Sequence, residues 1–336
     1  MSGGGPILVT GVYRSGSNLL AHLLDGHPDL SVWSDCVHYF RFIHGRYAPL
    51  DNDDVIRALV CDLTDRLETR FGFDPDRGEL ERRLMASDRT PAGIYDAIMG
   101  ASFFLRGARR WGEKVSLTWT RAGEFLDFFP HGRVLVILRD PRAVLESWKR
   151  ETFAPPPLYL DAIFNCLGLL GYLRERGVRR RLHCLRFEDL LRSPGEAMAG
   201  VWAFLGEEPP PGDPALLPRP DQDKARTLNT FARANEGRNR VDPGAAEAWV
   251  DRIDEDDLAL CNALLGPALE EHGYTLRLAH RATGERLDAV FGSAPGYLRN
   301  AYLRWRETGQ GHEGYPLDPT DPANWRSVNR ASEKRG

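Results

Sequence analysis

The stretch 6–24, PILVTGVYRSGSNLLAHLL, constrains this chain more than any other. Ile7, Leu8 and Val9 with the β-branched Thr10 have the length and composition of a strand buried on both faces of a parallel sheet. Gly11 and Gly16 punctuate the turn that follows, and Leu19, Leu20, Leu23 and Leu24 then recur at helical spacing. A loop that leaves a strand and opens a helix aims free backbone N–H groups and the positive end of the helix dipole at one spot, which makes an anion site. Arg14 adds a fixed positive charge there.

The spacing Gly11-x4-Gly16 is that of the nucleoside-triphosphate loop, which requires Lys and then Ser or Thr after the second glycine. Here Ser17 and Asn18 follow, so the triphosphate reading loses its lysine. What remains, Arg14, Ser15, Gly16, Ser17 and Asn18 running into Leu19, suits a phosphate or a phosphosulfate. The same residues also fit a plain first strand and helix of an α/β fold.

With 336 residues and 42% hydrophobic content, the chain can bury a large core as one domain or one domain with a small appendage. The net charge of −4 argues against a nucleic-acid partner. Arg179, Arg180 and Arg181 read as a solvated loop. The five cysteines are scattered without metal or redox spacing, so they read as reduced thiols. The amino terminus lacks a basic and apolar leader, and no window approaches eighteen uninterrupted apolar residues. The expectation is a cytoplasmic protein with no membrane span.

Further along, residues 30–33 read as a second strand whose far end carries Ser34, Asp35 and Cys36. In open parallel sheets ligands sit at the carboxyl ends of strands, which puts Asp35 in the crevice that the first loop faces. Residues 51–108 read as a helical insertion, which fits the wall of a substrate pocket as well as it fits solvent-facing helices, and residues 121–129 read as a helix. The run 133–138, RVLVIL, is a central strand that ends abruptly at Arg139, with Pro141 suited to a first helical position. Arg139 and Ser147, on the helix that follows, together suit a second phosphate; a salt bridge from Arg139 to Asp140 or another local carboxylate is the plainer alternative. A long amphipathic helix over 160–173, a strand over 182–187 and a helix over 197–205 come next. The stretch 235–240, NEGRNR, with Arg238 and Arg240, fits a lid over an anion as well as it fits an exposed turn. Helices over 245–252 and 255–272 close the body, and the tail after Tyr274 reads as a loosely packed extension or an inter-subunit arm, the latter in a homodimer. The alternation of strands and helices indicates an α/β fold: a central parallel sheet of P-loop-like type with helices on both faces, spanning 1–275, with 276–336 as the extension.

The Arg-Ser-Gly-Ser loop and the strand ending in Arg139-Asp140-Pro141-Arg142, with a serine eight residues after its first arginine, together resemble the sulfotransferases that use 3′-phosphoadenosine 5′-phosphosulfate (PAPS). Gly112-Glu113-Lys114 resembles that family's Gly-x-Lys strand end, and Arg186-Phe187-Glu188-Asp189-Leu190 its Tyr-Glu-Asp-Leu segment. The run Leu24-Asp25-Gly26-His27-Pro28-Asp29 resembles the branch of tyrosyl-protein and bacterial sulfotransferases. The resemblance implies that the first loop holds the 5′-phosphosulfate, that Arg139 and Ser147 hold the 3′-phosphate, with Phe187 in the aromatic place, and that the product is adenosine 3′,5′-bisphosphate (PAP). The branch's general base is a carboxylate twenty-one residues after the loop arginine, which is Asp35 here, where the branch usually has Glu. The histidine base of the phenol sulfotransferases is replaced by Ser116. His38 and His44 are the fallback bases. Arg41, with His38, matches the substrate region, and Arg240 a lysine that closes over the cofactor.

Sulfuryl transfer needs cations where charge builds on the leaving oxygen. The resemblance gives that part to Arg14 and Lys114, gives proton acceptance to Asp35, and requires no metal. A small-molecule kinase and a non-catalytic PAP-binding or PAPS-binding protein are the alternatives. Small-molecule, carbohydrate, lipid and peptide hydroxyls all remain open as acceptors.

Overall fold

The computed structural model describes residues 4–72, 74–150, 157–176, 180–217, 240–276 and 282–312. Five strands form one parallel sheet: β1 (Ile7–Gly11), β2 (Leu30–Ser34), β3 (Arg110–Lys114), β4 (Arg133–Leu138) and β5 (Leu182–Arg186), in the spatial order β2-β3-β1-β4-β5. Central β1 aligns Val9 with Lys114 of β3 and with Leu135 of β4. All five carboxyl ends therefore open onto one edge, and β1 lies where connections run off in both directions, the place at which such sheets bind ligands.

Side chains alternate across this buried sheet with the two-residue period of a strand. Leu8, Val134 and Val136 enter one apolar layer, and Ile7, Val9, Leu135 and Ile137 the other. The second layer is covered by α1 (Ser17–Asp25) and by two later helices, Phe187–Arg192 and Pro194–Leu205. Residues 39–105 contribute α2 (Tyr39–Phe42), α3 (Asp53–Phe71), α4 (Arg77–Ala86), α5 (Pro91–Met99) and α6 (Ser102–Leu105) on the first layer. Helix α3 starts where Asn52 accepts from the Asp54 N–H, and it buries Ile56, Leu59, Leu63 and Leu67, a stripe at helical spacing. Helix α5 starts at Thr90, whose hydroxyl accepts from Gly93, with Pro91 in the first turn. Next come α7 (Ala122–Phe128), α8 (Pro141–Arg150) and α9 (Asp161–Arg176).

Three expectations change. Residues 245–252 are not a helix: a 3-10 turn, Pro243–Ala246, is followed by further turns. There the Asp242 side chain accepts from the Gly244 N–H, a local bond that competes with helix. The tail is not loosely packed as far as it is described. Helices Gly284–Gly292 and Gly296–Thr308 bury Phe291, Leu298 and Tyr302 in the main core, and His312 reaches Asp161 at 2.7 Å. Gly168 of α9 makes room for this crossing, since a Cβ there would stand 2.7 Å from the His312 carbonyl oxygen. Arg181 is likewise not merely solvated, because its guanidinium binds the carbonyls of Leu126 and Phe129 at the end of α7. All five cysteines are free thiols, as expected.

Candidate active site

The loop after β1 turns sharply, and its residues are placed by that turn. Arg14 has φ 65° and Gly16 φ 94°, so two residues in three adopt the left-handed region. Ser15 closes the turn by donating its hydroxyl to the Val12 carbonyl at 2.7 Å, which commits that side chain to the loop itself. A Cβ on Gly11 would stand 2.7 Å from the Ile137 oxygen, and one on Gly16 would stand 2.2 Å from the Phe187 ring. Both glycines are required by contact. Helix α1 then begins without a side-chain cap and without an acid in its first turn, which leaves its opening N–H groups to an anion. Ser17 is buried at that first position, and the buried Asn18 Oδ1 has no hydrogen-bond partner. Leu19 points into the core, so it can meet a ligand only through its main chain.

Arg14 donates from Nε to Ser147 Oγ at 3.0 Å, and Arg139 donates to the Arg14 carbonyl at 2.7 Å. The guanidinium of Arg139 also lies over the Phe187 ring, 4.5 Å from its centre. Arg139 beyond β4, Ser147 on α8 and Phe187 beyond β5 thus gather around one loop and its Arg14. The salt bridge considered for Arg139 does not form: Asp140 is held bidentately by Arg142, at 2.9 and 2.7 Å. Arg139 keeps a buried Nε with no partner, and burial pulls its guanidinium down to about 10, where it is still a cation at neutral pH. Arg14 belongs as much with this group as with Lys114.

On the other side of β1, Lys114 Nζ meets Asp35 Oδ2 at 2.5 Å. The second oxygen of Asp35 faces His38 Nε2 at 3.3 Å and the Ser116 N–H at 3.5 Å. Lys114 is therefore not a lone cation beside the first loop but the ion partner of the expected base. Burial, followed by the charges of Arg66 and Arg41, holds His38 well below its ordinary value, so it is neutral. His44 is bound to Glu124 at 2.8 Å, and Arg41 lies over the Phe42 ring at 4.9 Å. Arg240 is held at the surface by Asp213 at 2.7 Å, and Arg238 lies outside the described residues.

Two residues were missed by sequence reasoning. Glu113, read only as the variable position of Gly-x-Lys, is fully buried and accepts from the Val37 N–H at 3.1 Å, the His38 N–H at 2.6 Å and the Tyr95 hydroxyl at 2.5 Å. Its signal was an acid inside a strand, which demands buried partners. Tyr95, far away in the chain, carried no signal. His27, Asp29 and Glu207 bring ligand atoms within 4.8 Å of one another, but at the amino edge of the sheet. Arg109 and Arg110 already bind these carboxylates, at 3.1, 2.7 and 3.0 Å.

The profile of the sulfotransferase family matches residues 6–211, more than half of the chain. The chain belongs to the sulfotransferase family. This sulfotransferase is 23% identical to the nodulation protein NoeE of Sinorhizobium fredii (strain NBRC 101917 / NGR234), over 91% of this chain and 74% of that protein. It is 24% identical to carbohydrate sulfotransferase 1 of Rattus norvegicus, over 80% of this chain and 79% of the other. Its fold is shared with the sulfotransferase domain of the Synechococcus PCC 7002 olefin synthase, at a TM-score of 0.52 and 19% identity, over 82% of this chain and 98% of that one. A sulfotransferase domain from the curacin biosynthetic pathway gives 0.51 at 16% identity, over 82% and 100%. Among the described residues, no helix is long and apolar enough to cross a membrane.

Proposed function

We propose that this sulfotransferase takes its sulfuryl group from PAPS and passes it to an acceptor hydroxyl, with Asp35 as the general base. The observation that carries the donor is the meeting of Arg14, Arg139, Ser147 and Phe187 around the loop, with Arg139 released from Asp140. The residues fit the group. Arg139 Nε is a buried donor with no partner, and the first N–H groups of α1 are left without a side-chain cap or a nearby acid, so both can take anionic oxygens. In this reading Arg139 and Ser147 take the 3′-phosphate, Phe187 lies against the nucleoside, and the first amides of α1 with Arg14 take the 5′-phosphosulfate.

In the transfer step, a bond forms between the acceptor oxygen and sulfur while the bond from sulfur to the bridging oxygen breaks. The electron pair stays on the phosphate, giving PAP. Arg14 and Lys114 stabilise the charge that builds on that oxygen. Asp35 takes the proton of the acceptor hydroxyl. Its ion pair with Lys114 joins the two tasks, because the cation that holds the base also stands beside the leaving group.

The kinase alternative finds no lysine after Gly16, where Ser17 begins α1. The non-catalytic alternative gives no use for the Lys114–Asp35 pair. Acceptor trials start with carbohydrates, since that word stands in the name of the rat relative; peptide and small-molecule hydroxyls follow. Incubation with radiolabelled PAPS and an acceptor series tests the proposal: labelled product with release of PAP supports it, and binding of PAP without transfer to any acceptor or to water supports the non-catalytic reading.

A further inference from the structure

Glu113 lies on β3 between Gly112 and Lys114 and is fully buried. A buried carboxylate is retained only where donors compensate its lost hydration. Two of its donors, the Val37 and His38 N–H groups, belong to the turn 35–38 that follows β2. In that turn Asp35 has φ 54° and His38 φ 53°. Such left-handed conformations are strained for residues other than glycine, and persist only where the surroundings impose them. Here the imposing groups are two on neighbouring β3 positions: Glu113 Oε1 binds both amides, and the Lys114 carbonyl accepts from the Asp35 N–H at 2.8 Å.

The third donor comes from the helical insertion. Tyr95 of α5 donates to Glu113 Oε2 and stacks on Tyr39, with ring centres 4.1 Å apart and planes 4° from parallel. Tyr39 follows His38 directly and donates its hydroxyl to the Pro91 carbonyl at the start of α5. Helix α5 therefore grips the far end of the same turn at two points.

We infer that Glu113 is a positioning residue for sulfuryl transfer: it holds the turn 35–38 so that the Asp35 carboxylate faces Lys114, and through Tyr95 it ties that turn to the helical insertion. The inference rests on the proposed role of Asp35. Glu113 itself touches no reacting atom, since its oxygens are used by Val37, His38 and Tyr95.

The test uses the full chain, with water as acceptor so that no acceptor need be known: release of PAP from PAPS, PAP affinity by calorimetry, and hydrogen exchange at the Val37 and His38 amides. Glu113→Ala should lower kcat by about tenfold or more while PAP affinity stays within about twofold. The two amides should exchange faster. Glu113→Gln keeps a carbonyl oxygen for both amides and an NH2 group for a Tyr95 hydroxyl turned to accept, so it should restore most of the rate and the protection. Tyr95→Phe should fall between. Added to Asp35→Asn, Glu113→Ala should cost nothing further, because it acts through Asp35. Losses that multiply in the double variant, or amides whose exchange is unchanged in Glu113→Ala, overturn the inference. Should Glu113→Ala fail to fold, Glu113→Gln and Tyr95→Phe decide: a Gln variant as slow as Asp35→Asn, or a Phe variant with unaltered exchange, counts against it. A wild-type chain that neither binds PAP nor releases it from PAPS sinks the donor reading instead, before any variant is made, and the exchange arm still judges the turn.

Discussion

On the proposed donor side of the crevice, Arg14 and Arg139 lie just beyond strand ends, Ser147 lies on α8 and Phe187 follows β5; Arg14 binds Ser147, and Arg139 binds the Arg14 carbonyl and lies over the Phe187 ring. On the proposed acceptor side, Asp35 sits in a turn that is held by Glu113 and, through it, Tyr95, two fully buried groups. The donor side is made of cations around a loop that is itself rigid by glycine contacts and one serine. The acceptor side is a carboxylate whose position depends on a second, buried carboxylate. A site of the first kind should lose binding when a residue is removed, and one of the second kind should lose rate.

The largest effect should come from the acceptor side. Asp35→Asn keeps the size and removes the proton acceptor, and should lower turnover by about 10²–10⁴ while PAP affinity is retained. Steady-state kinetics beside calorimetry checks both halves, and weakened PAP binding would merge the two sides. On the donor side, Arg139→Ala should cost about 2–5 kcal/mol of PAP affinity, the range for removing one partner of a buried charged contact. Unchanged affinity in calorimetry would remove Arg139 from the donor site. Lys114→Ala tests the boundary: because Lys114 touches Asp35, kcat should fall by more than the KM for PAPS rises, and the reverse pattern would assign it to the donor side.

How much of this could be read in advance follows the same division. That Arg14, Arg139, Ser147 and Phe187 come together was legible because they stand in short contiguous motifs, and the parallel sheet brings strand ends to one edge whatever the loops do. Asp35 was singled out by its distance from Arg14, and the structure sets it against Lys114. Glu113 and Tyr95 were not, since their pairing spans eighteen residues of chain and a helix whose orientation no local pattern states. The tail after Tyr274 was misjudged for a related reason: Leu287 with Phe291 and Leu298 with Tyr302 stand at helical spacing, but what they pack against, α9, lies far back in the chain and no local pattern names it.

The smallest effect is on stability. Burial pushes the Glu113 carboxyl up from 4.5 to about 7, against the opposing bonds from Tyr95 and His38. Asp35, Cys36, His38, Tyr95 and Arg66 are the titratable and charged groups in its surroundings. An acid whose value is raised by folding adds stability that is complete below its unfolded value and is lost as pH rises through the folded one. The Tm of the wild type should therefore drop, relative to Glu113→Gln, by a few degrees between about pH 4.5 and pH 7. A constant difference across that window would show that Glu113 titrates normally and that the acceptor side is less closed than described.

The donor assignment underlies both halves, and one calorimetric comparison tests it most directly. PAP and AMP differ only in the 3′-phosphate that Arg139 and Ser147 are proposed to hold. The account predicts that PAP binds the full chain about thirtyfold or more tighter than AMP, and that Arg139→Ala erases the difference. Equal affinities for PAP and AMP in the wild-type chain would contradict it.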